Sequence, residues 1–179
     1  MTGKQRPGGV VVRRPGAADA GAVTTIHAQG LATGHASFRE EPYTWTQWQE
    51  AYGSPCPLVA ERDGTVLGWA GVTPASARAV YRGVGEVSIY VASAAAGQGI
   101  GHALLAGLVA CSEAAGFWTL FGHIFPENGA SLTLHARHGF EALCVRRRLG
   151  RMSYGPMAGC WRDVVLMERR SPTVGREAP

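Results

Sequence analysis

Apolar and polar residues recur along this chain with two periods, and the switches between them mark the elements. From Glu86 to Val91, polar Glu86 and Ser88 alternate against Val87 and Ile89 among β-branched and aromatic residues, which predicts a strand. From Gly99 onward Ile100, Ala103, Leu104 and Leu108 recur at helical spacing, which predicts a helix to about Ala115, ended by Gly116. The small residues Ala92–Gly97 join the two as a loop.

The same reading extends in both directions. Val10–Arg14 is a short strand stopped by Pro15, and Asp19 caps a helix through about Leu31, with Val23 and Ile26 near one face. After a loop over Ala32–Pro42, Thr44 caps a second helix to about Tyr52, on which Trp45 and Trp48 share a face. Leu58–Arg62 and Val66–Val72 form a hairpin about Asp63-Gly64. A loop over Thr73–Gly83 leads to the Glu86 strand. Beyond Gly116 come a strand at Trp118–Phe125, a break at Pro126–Asn128, and a helix at Ser131–His138 ended by Gly139. A strand at Phe140–Leu149, a loop at Gly150–Gly159 and a last strand at Trp161–Arg169 complete the order. Strand, two helices, three strands, helix, strand, helix and two strands predict an α/β (α+β) single domain over residues 10–170. Its one mixed sheet carries helices on its faces. Residues 1–9 are expected to be a disordered leader and 171–179 a disordered tail.

Composition narrows the function classes. With 179 residues and 46% apolar content, the chain can bury one sizeable core. No apolar run approaches the roughly 20 residues of a membrane helix, and Met1–Gly9 is followed by no apolar signal core, so a cytoplasmic protein is expected. The widely spaced Cys56, Cys111, Cys144 and Cys160 form no Cys-x-x-Cys pair, which predicts four reduced thiols and no metal site. The net charge of +4 suits an anionic ligand, and without a basic–aromatic stripe nucleic acid is not expected.

The strand–turn–helix at Glu86–Leu105 is where such a ligand would sit. The first turn of a helix has unpaired N–H groups and the positive end of the macrodipole, and glycines let an anion reach the backbone. The spacing matches neither of the two best-known phosphate loops. It resembles instead the pyrophosphate-binding Gln/Arg-x-x-Gly-x-Gly/Ala motif of the GCN5-related N-acetyltransferases, aligned on Ala96-Gly97-Gln98-Gly99-Ile100-Gly101, with Ala96 in the place of Gln or Arg.

Further motifs resemble the phosphinothricin and arsinothricin N-acetyltransferases within that superfamily. They are Ser37-Phe38-Arg39-Glu40-Glu41-Pro42, Arg78-Ala79-Val80-Tyr81, Phe125-Pro126-Glu127-Asn128-Gly129-Ala130-Ser131, Leu134-His135 with His138-Gly139-Phe140, and Trp161-Arg162-Asp163-Val164. The resemblance implies an acyltransferase fold whose fourth and fifth strands splay apart around acetyl-CoA, a metal-independent enzyme, and a homodimer. It implies a coenzyme site on the backbone of Ile89, Tyr90 and Val91, on Gln98, Gly99, Ile100, Gly101, His102 and Ala103, and on Asn128. It implies catalytic roles for Glu86 and His135.

The chemistry of those side chains agrees. A substrate ammonium must lose a proton before it attacks a thioester, and Glu86 is a suitable acceptor, although a carboxylate on a strand can also be a surface group. His135 could protonate the leaving thiolate or simply pack on the sheet. Arg78 could bind an anionic substrate group bidentately, with Tyr81 and Phe38 beside it; Ser76 stands where these enzymes usually have a second basic residue. The other histidines and the run Arg146-Arg147-Arg148 are read as structural or solvated. The expected activity is acetylation, by acetyl-CoA, of the amino group of a small anionic amino-acid analogue of the arsinothricin or phosphinothricin type, giving resistance to it. Another amine (methionine sulfoximine or a protein N-terminus) or a catalytically silent acetyl-CoA-binding module are the alternatives.

Overall fold

A computed structural model describes residues 8–176. The elements follow the expected order: β1 (Val11–Arg13), α1 (Ala20–Ala32), α2 (Trp45–Tyr52), β2 (Leu58–Arg62), β3 (Thr65–Pro74), β4 (Val84–Val91), α3 (Ile100–Ala114), β5 (Thr119–Ile124), α4 (Gly129–Arg137), β6 (Glu141–Arg151) and β7 (Trp161–Arg170). The strands form one sheet in the order β1-β2-β3-β4-β5-β7-β6. Neighbours are antiparallel except β4 and β5, which run parallel with α3 as the crossover. Among the described residues no helix is long and apolar enough to cross a membrane.

Alternation along the strands divides the core in two, because successive side chains point to opposite faces. On one face Leu104, Leu105 and Leu108 of α3 pack against Ala60, Ala70, Val72, Val87 and Leu120. On the other, Val23 and Ile26 of α1 and Trp48 and Tyr52 of α2 close over Val59 and Trp69. Glu86, Ser88 and Tyr90, alternating with the buried Val87, belong to this second face.

Several boundaries differ from the sequence expectation. β3 runs on to Pro74, two residues into the expected loop, because Thr73 and Pro74 pair with Glu86 and Gly85. β6 continues to Arg151 through a bulge between Arg146 and Gly150. α4 starts at Gly129, two residues early, where the Ser131 N–H donates to Asn128 Oδ1 at 3.1 Å. Asp19 precedes α1 as expected but does not cap it. Its carboxylate accepts from the Arg13 guanidinium at 2.7 and 2.9 Å and from the Gly16 N–H at 2.7 Å, and Arg13 holds its pKa below the ordinary carboxylate value.

Cys56 and Cys111 are joined in a disulfide, their Cα atoms 5.9 Å apart, where four thiols were expected. Their separation of 55 residues conceals that α3 packs directly over the start of β2. Cys144 and Cys160 are exposed thiols. The expected tail is anchored at its start: Ser171 is buried and donates to Glu113 Oε1 at 2.8 Å. Most of the expected leader, residues 1–7, and the last residues, 177–179, lie outside the described chain.

Candidate active site

The parallel strands β4 and β5 pair only over Val84–Glu86 with Thr119–Phe121. Beyond Glu86 they part, while β4 stays paired to β3 as far as Val91. The edge of β4 that faces the gap therefore keeps free backbone groups along Val87–Val91. Two cavities open there. One, of about 470 Å³, is walled by the 35–39 loop, Tyr43, Tyr52, the stretch Glu86–Tyr90 and the end of β5. The other, of about 890 Å³, lies between the end of β4, the turn into α3 and one side of α4. They share Ile89, Asn128 and Ser131, so a long molecule in the second cavity can present its end to the first.

The second cavity is lined by groups that suit an anion. Gly99 has φ +80°, a left-handed conformation that glycine adopts without strain, and α3 starts at the next residue. Not all the expected amides are free. The Gln98 N–H donates to Ala95 O at 3.3 Å, and the Ala103 N–H closes the first helical turn on Gly99 O at 3.0 Å. The Gln98 side chain is also engaged, its Oε1 accepting from Arg62 at 2.8 Å. Four amides, those of Gly99, Ile100, Gly101 and His102, have no acceptor among the described residues. The His102 imidazole lies 2.9 Å from that of His138, whose pKa burial pushes down. Arg137 is the one guanidinium among the cavity-lining residues.

In the first cavity, Glu86 Oε1 lies 2.8 Å from His123 Nδ1, and the far nitrogen of that ring, Nε2, lies 3.2 Å from the Arg146 guanidinium. Tyr52 bonds Ser88 Oγ at 3.0 Å, and burial pushes its phenol up to about 12, so it remains a neutral hydroxyl. His135 reaches the cleft from α4 through the gap between the strands, close to Gly122. Its Nδ1 lies 2.8 Å from the Ser131 carbonyl oxygen, which can only accept, so the ring proton is on Nδ1 and Nε2 carries a lone pair. Burial lowers its pKa, which favours this neutral form. In this neutral form Nε2 is an acceptor, and it carries a proton only when the ring is charged.

Phe38 lines the cleft, edge-on to Phe125 with ring centroids 5.0 Å apart. Arg162, almost wholly buried, fixes that wall by donating to Gly34 O at 2.6 Å, His35 Nδ1 at 2.9 Å and Glu127 Oε2 at 3.1 Å. Arg78 and Tyr81 do not join this constellation: both are exposed at a 3₁₀ turn in the β3–β4 connection, outside the cleft lining. The arginine that does line the cleft is Arg39. Its guanidinium lies 3.8 Å over the Tyr43 ring and donates to Glu41 O at 2.7 Å, with no carboxylate partner among the described residues. Sequence reasoning assigned no role to Arg39, His123 or Arg146. Only the β4–β5 register could have found His123: Glu86 stands opposite Phe121, and His123 is two residues farther along the same face.

Comparison with known proteins agrees with this architecture. Residues 25–140 match the model of the acetyltransferase (GNAT) family. A phosphinothricin N-acetyltransferase from Alcaligenes faecalis is 40% identical over 157 residues, covering 84% of this chain and 77% of that protein. A methionine sulfoximine/methionine sulfone acetyltransferase from Pseudomonas aeruginosa is 30% identical, covering 94% and 98%. Among solved structures, a phosphinothricin acetyltransferase of the GNAT superfamily from Sinorhizobium meliloti, in complex with acetyl-CoA, superposes with a TM-score of 0.84. It is 29% identical, with 95% of this chain and 92% of that one covered.

Proposed function

Since the chain belongs to the acetyltransferase (GNAT) family, on its phosphinothricin acetyltransferase branch, we propose that it acetylates the amino group of a small anionic amino-acid analogue at the cleft beside Glu86. The observation that carries this reading is the parting of β4 and β5 just past Glu86, with two cavities that meet at Ile89, Asn128 and Ser131.

Acetyl-CoA, the cosubstrate, brings a thioester-bound acetyl group on an amide-containing arm that ends in phosphates. The second cavity suits it. Four unpaired amides at the positive end of α3 match a pyrophosphate. The free edge of β4 at Ile89–Val91 can pair with the amides of the arm as an added strand would. Asn128, already capping α4, stands where the cavities join.

In the first cavity Glu86 takes the proton from the substrate ammonium, which frees the nitrogen lone pair for attack. Arg39 holds the anionic group of the substrate, in the part expected of Arg78. Phe38 and Tyr43 form the walls. His135 accepts a hydrogen bond through Nε2 and keeps the α4 side of the cleft in register. Substrates of the phosphinothricin, arsinothricin and methionine sulfoximine types all pair an amine with an anionic group and fit this scheme. Acetylation of a toxic member would give resistance to it. A homodimer is supported by the edge strand β6, where Leu143 and Val145 are 53% and 52% exposed.

A panel of amines, assayed by thiol release and by mass of the product, tests the reading. Amino-acid analogues should be acetylated with a kcat/KM at least about 100-fold above a polyamine or a peptide N-terminus, the discrimination expected of one charged hydrogen-bonded contact. Preference for the polyamine or the peptide would refute the substrate class. Tight acetyl-CoA binding without thiol release would leave a binding module.

A further inference from the structure

We propose that His123 and Arg146 are positioning residues for Glu86, with Arg146 fixing the tautomer in which His123 meets the carboxylate; this rests on Glu86 being the proton acceptor. A guanidinium can only donate, so the 3.2 Å contact makes His123 Nε2 an acceptor. The ring proton is then on Nδ1, and Nδ1–H donates to Glu86 Oε1 at 2.8 Å. The carboxylate, which can only accept, favours the same Nδ1–H tautomer; Arg146 adds to this by disfavouring a proton on Nε2, and without it the tautomer rests on the part-exposed carboxylate contact alone.

The fold builds this chain of contacts from three strands. Glu86 and His123 share a face on either side of the point where β4 and β5 part, and the Phe121 ring packs edge-on against the imidazole at 5.4 Å. β6 is not adjacent to β5: β7 lies between them, and Arg146, opposite Val164, reaches across it. It does so from the β6 bulge, which the Arg148 N–H pins by donating to Asp163 Oδ1 at 2.8 Å. Bulges commonly re-aim a side chain in this way. Arg148 at φ +47° marks the irregularity.

Two consequences follow for the reaction. With Oε1 engaged, the carboxylate is held in one rotation and offers Oε2 to the ammonium. His123 is also closed as the next proton carrier, because Nδ1 already bears a proton and Nε2 faces a cation. The proton taken from the substrate therefore stays on Glu86 until water in the open cleft removes it.

The test joins a spectrum to a double-mutant cycle. Two-bond ¹H–¹⁵N spectra of histidine-labelled protein should show His123 as the Nδ1–H tautomer, and Arg146→Met should move it toward Nε2–H. His123→Ala should lower turnover roughly 10- to 100-fold, the worth of a hydrogen bond to a charged group, without changing the Michaelis constant for acetyl-CoA. His123→Asn keeps a donor near the place of Nδ1 and should recover to within about threefold of wild type. Arg146→Met should slow the wild-type enzyme but not the His123→Asn variant, since no tautomer is left to fix. An Nε2–H tautomer in the wild type would overturn the proposal, as would an equal cost of Arg146→Met in both backgrounds. If Glu86→Gln is inactive while His123→Ala is not, the base stands and the positioning role falls. If Glu86→Gln is fully active, the assignment of the base itself has failed, whatever the spectrum shows.

Discussion

Gly101 is the position at which the coenzyme site can be perturbed with a calculable effect. A Cβ added there would lie 3.0 Å from Leu134 Cδ2 and 3.7 Å from Val91 Cγ2. The second distance is ordinary contact. The first is tight, but it is to the free end of a leucine, which can give by a few tenths of an ångström. Alanine also has a helix propensity better than glycine by about 1 kcal/mol. Gly101→Ala should therefore stay within about 1 kcal/mol of wild-type stability and keep its amide donor. Gly101→Val drives two more methyl groups between Leu134 and Val91, and overpacking of this kind costs about 1–3 kcal/mol. It also forces α3 and α4 apart where, on the proposed placement, the Gly101 and His102 amides converge on the pyrophosphate. Losing one hydrogen bond to a charged group costs about 1.5–3 kcal/mol, so the dissociation constant for coenzyme A should rise roughly 10- to 100-fold. The assay is calorimetric titration with coenzyme A, after thermal unfolding has shown that the variant is folded. A folded Gly101→Val protein with wild-type affinity would refute the placement of the phosphates on this turn. Gly99→Pro is the poorer probe, because φ of +80° at Gly99 is closed to proline and the turn itself would break.

The cleft and the core give two more predictions. Arg39→Ala should weaken binding of an anionic substrate by about 2–3 kcal/mol, and Arg39→Lys should recover part of it, while Arg78→Ala should leave it unchanged; the Michaelis constant for the amine in each variant checks this, and the reverse ranking would return the clamp to Arg78. His27 is buried with Nδ1 accepting from the Tyr43 N–H at 3.0 Å, and burial, with Arg39 nearby, lowers its pKa to about 4. The unfolded chain thus takes up this proton first as pH falls below about 6.5, and stability should drop between there and about 4, by at most about 3 kcal/mol. His27→Asn, which retains an acceptor, should lose that part of the slope in urea titrations at several pH values, and an unchanged slope would assign it to other groups.

How much of this was legible in the sequence depended on the range of the interaction. Local signals were: the Thr44 cap, the Asp63-Gly64 hairpin and the switch from period two to helical spacing after Glu86 all lie within a few residues, and each element was found in its place. Asp19 shows the limit even at short range, since a nearby guanidinium outcompeted the helix for its carboxylate. Long-range pairings were not legible. His123 lies 37 residues from Glu86, and its contact with that carboxylate depends on a strand register that composition does not encode. The motif around Arg78 marks that residue as the anion clamp and nothing in the sequence marks Arg39, yet tertiary packing turns Arg39 into the cleft and leaves Arg78 outside its lining. Arg162 has the composition of a surface residue, yet it is among the most buried side chains, because it gathers the carbonyl, imidazole and carboxylate acceptors of two distant loops.

The most direct measurement is the turnover of Glu86→Gln on the best substrate of the amine panel. A glutamine oxygen can still accept from His123 Nδ1–H, so size, fold and that contact are preserved. The group turned to the ammonium becomes an amide that cannot take a proton. Turnover at neutral pH should fall roughly 10²- to 10⁴-fold, the usual worth of general-base catalysis, with little change in the Michaelis constant for acetyl-CoA. Raising the pH should restore part of the rate, because solution then supplies more free amine. Full turnover of the variant at neutral pH would contradict the account, since the substrate proton would have to leave by a route that does not involve Glu86.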